Sequence, residues 1–389
     1  MLSNVNGKAS LELQNDSIDV LTTINLKDAC IEVYMPEPFD KGVDQEYRDN
    51  LIENDLTLRN CSFKLMDGST IKAELLSKLS VKHYKPATIV SFDTKIDRMF
   101  NLTGKLAGVA SLKLVPRDGN LNFKIDPPTD KYEIVYLNNN VSYITGDSFE
   151  HNGRNIDVKV SDVSVSFSAC SNISDIEKNL CLGWSVMQGC PLTNRICIER
   201  DNLSMSIESK KFYQIGNRLY NYTEFAFQIF SKLFTYLDKL SVNDYAKWEK
   251  ALHFYVEGKS SWSTIDIKSI NYFVFLDILI KAKKLCRDPL ATMLKISPDD
   301  ASMICKVRNK LIHQEDNLRS AIQKSYTQMN NIPSDFSPIY LNIDGNEPKD
   351  PLLFYVNLIM LIDRYIISEI GYSENWNDQS KVLHQLINQ

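Results

Sequence analysis

The sequence predicts an α+β protein of more than one domain: a β-rich N-terminal half, sandwich-like or barrel-like, followed by an all-helical bundle. Three observations carry this. Short alternating apolar–polar runs with turn residues between them fill the first half, and apolar residues at helical spacing fill the second. The change of period falls near residue 210, so the expected division is residues 1–210 and 211–389.

The strands announce themselves by their ends. Leu56–Leu65 stops at Asp67-Gly68, Ala110–Val115 at Asp118-Gly119, and Leu121–Ile125 at Pro127-Pro128. In Ile156–Phe167 the residues Ile156, Val158 and Val160 share one face, then Val163, Val165 and Phe167 do so, and a tight turn or bulge at Ser161-Asp162 resets the phase. From Cys170 to Gly216 the pattern is mixed, with a turn of helix expected at Ile173–Asn179 and strands near Ile196 and Met205. Helices are expected over Tyr222–Leu240, Val242–Glu257, Ile265–Cys286, Pro298–Gln328 (with an earlier end left open) and Pro351–Ile370, with Ser263 or Thr264 capping the third. Asn330–Lys349, with its prolines, reads as a loop.

The totals bound the chemistry. The 389 residues carry a net charge of −5, with 43 % hydrophobic and 24 % charged residues, which fits a globular chain and argues against a general nucleic-acid coat protein. Met1 to Asp16 is polar, so no export signal is expected. The two most apolar stretches, Tyr272–Ile280 and Leu352–Ile370, are interrupted by Asp277 and by Asp363, Arg364 and Glu369, and neither reads as a membrane span. Eight cysteines without an export signal point to reduced thiols in the cytoplasm. Neither GxxxxGK[ST] nor GxGxxG occurs, which argues against an NTPase or a dinucleotide enzyme.

The chemistry concentrates in Cys305-Lys-Val-Arg-Asn-Lys-Leu-Ile-His313. Ser297-Pro298-Asp299-Asp300 is a strong helix start, because a serine cap, a proline at the first position and two carboxylates suit a helix N-terminus. Arg308 offers a permanent cation that can hold a phosphate by two parallel bonds, and the imidazole of His313 can move a proton. RNA supplies its own nucleophile, the 2′-hydroxyl, so neither a metal nor a cofactor is expected. On a straight helix Arg308 and His313 lie roughly 140° apart, which suggests that two helices from two copies would be needed to aim both at one phosphate. Residues 281–310 hold eight basic side chains against three acidic ones, and Lys306 and Lys310 are expected to contact RNA.

Arg308-Asn309-xxx-His313 in an all-helical C-terminal region resembles the signature of HEPN-domain ribonucleases. Phe354–Tyr372 is similar to the closing helix of their ApeA-like, anti-phage branch, and the resemblance spans roughly the last 170 residues. It implies a HEPN-like bundle that forms a homodimer through the motif helix. It also implies a metal-independent endoribonuclease of abortive infection, with transfer RNA as a candidate target and a phage-derived trigger. Arg308 and His313 would be catalytic, and Asn309 would orient a phosphate oxygen or hydrogen-bond His313. The alternative is a non-catalytic dimerisation scaffold whose β domain binds a phage component or a carbohydrate.

Other constellations take blander readings. Cys170, Cys181, Cys190 and Cys197 are too widely and irregularly spaced for a typical structural zinc site, and read as small buried thiols. His83, His151, His253 and His384 are isolated. Asp363-Arg364 suggests an ion pair at a bundle or dimer seam, with support of the active site as the sharper reading.

Overall fold

A computed structural model describes residues 4–13, 16–25, 30–37, 55–64, 70–89, 108–117, 120–129, 132–137, 146–161, 164–193, 195–199, 202–206, 223–260, 264–280, 287–314, 317–328 and 351–372. The chain divides into a β unit (1–142, 146–175 and 193–211) and a helical unit (143–145, 176–192 and 212–389).

In the β unit the first strands are β1 (Asn4–Leu13), β2 (Asp16–Asn25), β3 (Cys30–Glu37), β4 (Leu56–Lys64), β5 (Thr70–Ile89) and β6 (Gly108–Pro116). They pair in the order β4-β1-β2-β3-β6-β5, and β4 pairs again with β5, closing a six-stranded antiparallel barrel. Closure leaves these strands no open edge. Leu11, Ile24, Ile31, Val33, Leu58, Phe63, Leu79, Leu112 and Leu114 are fully buried within its core, so side chains fill the interior. Two residues with positive φ, Asn60 (51°) and Lys78 (57°), stand where one strand carries a residue more than its partner. Such bulges add twist and help a small barrel to close. Gly7 faces Phe63 across β1 and β4, and a Cβ there would lie 2.3 Å from the Ser62 carbonyl oxygen.

The remaining strands are β7 (Asn120–Asp126), β8 (Tyr132–Leu137), β9 (Ser148–His151), β10 (Arg154–Val160), β11 (Ser164–Ala169), β12 (Arg195–Glu199) and β13 (Asn202–Ser206). They continue from β5 in the order β7-β13-β12-β8-β11-β10-β9. The 20-residue β5 links the barrel to the strands that follow, meeting β4 and β7 over its first residues and β6 over its second half. The alternation predicted for β7 appears as buried Leu121, Phe123 and Ile125 between exposed neighbours. The phase reset expected at Ser161 is a hairpin turn in which the Ser161 N–H donates to the Ser164 carbonyl at 2.8 Å.

The helical unit contains α1 (Glu177–Gln188), α2 (Thr223–Asp238), α3 (Val242–Ser260), α4 (Ile265–Leu279), α5 (Arg287–Leu294), α6 (Pro298–His313), α7 (Leu318–Tyr326) and α8 (Pro351–Glu369). Where a single turn of helix was expected at Ile173–Asn179, the chain forms the longer α1, which packs on α2 and α3. Residues 176–192 therefore belong with the helices and not with the β half to which the sequence reading assigned them. Trp184 meets Phe230 edge-on at 5.1 Å, and its indole donates to Gln188 at 3.0 Å, which in turn donates to the Cys190 carbonyl at 2.9 Å. The single helix expected over Pro298–Gln328 is broken after His313, and Asn317 caps α7 by accepting from the Ser320 N–H. The expected loop Asn330–Lys349 lies outside the described residues. Among the described residues no helix is long and apolar enough to cross a membrane.

A polar cluster sits inside the bundle where α3, α4 and α8 meet. Lys259 donates to Asp363 Oδ2 at 2.9 Å, and the Tyr255 hydroxyl donates to Oδ1 at 2.6 Å. Burial pushes the Asp363 carboxyl up and the Lys259 ammonium down from their ordinary ranges, each opposed by the other's charge. The α3 backbone approaches closely because residue 258 is glycine: a Cβ there would stand 2.9 Å from the Tyr272 ring.

Candidate functional site

The motif helix α6 begins as its sequence dictates. Ser297 caps it by accepting from the Asp300 N–H at 3.1 Å, and its hydroxyl donates to the Asp300 carboxylate at 2.5 Å. Ala301, Met303, Ile304, Val307 and Leu311 then form the buried stripe against its neighbours. Arg308 follows Val307, at the border of that stripe, while Asn309 and His313 are exposed.

Arg308 is the hub. Its Nη2 donates to Asp277 Oδ2 at 2.5 Å, and its Nη1 donates to Asn309 Oδ1 at 2.9 Å and meets His313 Nε2 at 3.2 Å. A guanidinium only donates, so this contact makes Nε2 the acceptor and puts the ring proton on Nδ1. The expectation that one straight helix cannot easily aim both groups at one phosphate is met here by a contact between the two groups within one chain. The Cα positions diverge around the helix, but the long arginine side chain leans back across the gap. The requirement for a second copy to unite Arg308 with His313 falls with that contact.

Asp277 is the neighbour of Arg308 that motif reading missed. It reaches the site from α4, which packs against α6, 31 residues upstream in the chain. Its side chain is 28 % exposed and that of Arg308 17 %, so the pair is half-sheltered and reachable from solvent. Two atoms of this pair, Asp277 Oδ1 and Arg308 Nε, are buried and make no hydrogen bond. One is an acceptor and the other a donor, which leaves the pair one bond short of the two-bond fork that arginine and carboxylate can form.

The basic strip does not take the form expected of it. Lys310 is only 8 % exposed, so it lies in the helix packing and does not stand as an open phosphate contact beside Lys306. Lys306 donates to the Gln328 carbonyl at 2.8 Å, tying α6 to the end of α7. Arg287 is engaged by Pro298 and Asp299, and Lys295 by Ser368. Lys281, Lys283 and Lys284 lie outside the described residues. Asn309 faces Arg308 and not His313.

Asp363 holds Lys259 within the bundle, and Arg364 donates to the Leu294 carbonyl at 2.7 Å, joining α8 to α5. Of the four cysteines read as buried thiols, Cys190 and Cys197 are buried, whereas Cys181 is half-buried and Cys170 is exposed. No three or more His, Cys, Asp or Glu side chains among the described residues form a group that could hold a metal ion. His151 contacts Asn152, and exposed His253 lies 3.9 Å from Glu249. The side chain of His83 and the whole of His384 lie outside the described residues.

The cluster joins a fixed cation, an imidazole, a carboxamide and a carboxylate on a half-sheltered surface. It can bind an anion and move a proton beside it. Compared with protein-family models, curated proteins and solved structures, the chain finds no match in any of the three.

Proposed function

We propose that the helical unit is a HEPN-like, metal-independent endoribonuclease, acting in the cytoplasm as the toxic arm of an anti-phage response, with transfer RNA as a candidate substrate. The observation that carries this reading is the 3.2 Å approach of Arg308 Nη1 to His313 Nε2 on a surface open to solvent. In the reaction, the 2′-oxygen attacks the adjacent phosphorus and its proton passes to a base. The phosphorus–O5′ bond then breaks, and the departing oxygen takes up a proton. The products are a 2′,3′-cyclic phosphate and a 5′-hydroxyl. His313 serves as base or acid, with Nε2 available once Arg308 turns toward the phosphate. Arg308 neutralises the charge gathering on the phosphoryl oxygens, and Asn309 holds the guanidinium or one of those oxygens. A homodimer would enclose the RNA between two such surfaces.

The test is total transfer RNA incubated with the purified chain in a chelator. Discrete fragments with cyclic-phosphate ends are expected, and His313→Ala removes them. A scaffold reading has one observation in its favour: Arg308 is already engaged by Asp277, Asn309 and His313, as a cation with a structural role would be. Identical behaviour of wild type and His313→Ala, with the dimer intact, would decide for the scaffold.

A further inference from the structure

We infer that Asp277 is a built-in competitor for the substrate phosphate: its carboxylate occupies the guanidinium edge through which Arg308 would hold RNA, and a phosphate binds there by displacing it. The inference rests on the nuclease reading of the Arg308–His313 surface and assigns that site its resting state.

The donor inventory leads to it. Arg308 has five N–H groups. The Nη1 donors go to Asn309 and His313, one Nη2 donor goes to Asp277, and Nε is buried without a bond. Asp277 thus holds an edge of the guanidinium at Nη2. A carboxylate and a phosphate present the same pair of oxygens to that edge, so both cannot hold it at once. With Asp277 in place the guanidinium charge is neutralised, and of the five N–H groups only the second on Nη2 and the buried one on Nε are uncommitted.

The pair is also built to let go. Asp277 Oδ1 and Arg308 Nε remain unbonded, so the fork is incomplete, and both side chains keep partial access to water. In the same bundle, Asp363 has both oxygens satisfied and its Lys259 side chain is fully buried. A phosphate that offers two oxygens completes the fork that Asp277 leaves half made. The same movement draws Nη1 away from His313 and frees Nε2 to accept a proton. Substrate binding and release of the base become one event.

The experiment uses the full chain and a single-stranded DNA oligonucleotide, which carries the phosphates and lacks the 2′-hydroxyl. Affinity is measured at fixed salt for wild type, Asp277→Asn, Asp277→Asn with Arg308→Ala, and Asp288→Asn, the last controlling for the loss of one negative charge at an exposed position. Asp277→Asn is expected to bind about tenfold more tightly than wild type and well beyond the control, and the gain vanishes when Arg308 is removed. Equal or weaker binding by Asp277→Asn, or a gain that survives Arg308→Ala, overturns the inference. Should Asp277→Asn fail to fold, guanidinium NMR on the wild type decides. The Arg308 signal must move when the oligonucleotide binds, and an unmoved signal at saturation, or no binding at all, overturns it. RNA cleavage is followed separately. Tighter binding without any cleavage sinks the nuclease reading alone, and cleavage without tighter binding sinks the competitor alone.

Discussion

Two ion pairs in the helical unit make opposite use of the same chemistry. Lys259 and Asp363 are 0 % and 9 % exposed, and both carboxylate oxygens are bonded. Arg308 and Asp277 are 17 % and 28 % exposed, and a donor and an acceptor between them remain unused. A charge sealed in the interior is tolerated only when its bonding is complete, because desolvation penalises every lone pair left over. In the half-sheltered pair the unused donor and acceptor are themselves covered, so they stay unbonded until the pair moves and a ligand or water can reach them. Completeness separates the pair that holds the bundle together from the pair that is free to react.

The largest effect should come from spoiling the sealed pair. Asp363→Ala removes the carboxylate that compensates the buried Lys259 ammonium, and should cost about 3–5 kcal/mol, read as a shifted denaturant midpoint or outright loss of the fold. Lys259→Met with Asp363→Leu should restore most of that loss. If the single change costs less than the alanine change at Asp277, the contrast between the pairs is wrong. At the open pair the effect should fall on rate instead. His313→Ala should lower RNA cleavage about 10²- to 10⁴-fold while the denaturant midpoint stays put.

Smaller effects refine the picture. Gly258→Ala pushes a methyl into Tyr272 and should destabilise by about 1–3 kcal/mol. Burial, with the Asp363 charge beside it, holds the Tyr255 phenol well above the ordinary tyrosine range, and Tyr272 is raised mainly by burial as well. Their folded forms keep a proton that the unfolded chain gives up, so their contribution is whole below about pH 10 and is lost as pH rises beyond it. Denaturant midpoints on either side of that pH should show the fall, and Tyr255→Phe should reduce it. Least of all, Lys306→Ala removes one exposed bond to the Gln328 carbonyl and should cost under about 1 kcal/mol.

What could be read in advance follows the range of the interaction. The start of α6 was legible because a cap is written in four consecutive residues, Ser297 to Asp300. Helix α1 was underestimated because Leu182 to Gln188 are all buried, which erases the amphipathic period. Short α5 offered too few turns to show one. In the site, Arg308, Asn309 and His313 were legible as a local motif. The contact between Arg308 and His313 was not, because helical wheels place Cα atoms and not the reach of an arginine. Lys310 was misjudged for a related reason: its spacing from Lys306 tells that they share a side, not that the side is packed. Asp277 left one trace. It and Asp363 are acids that interrupt the two most apolar stretches, and each proved to hold a cation.

The placement of α1 bears on how the protein is made and dissected. A ribosome delivers Trp184 well before Phe230, with β12 and β13 synthesised between them, so this aromatic surface must wait for its cover while the barrel is already complete in sequence. An expression clone begun at residue 211 would omit the helix altogether and expose the apolar seat on α2. Soluble preparations of the helical unit should therefore require residues 176–192 to be supplied, in cis or as a separate peptide.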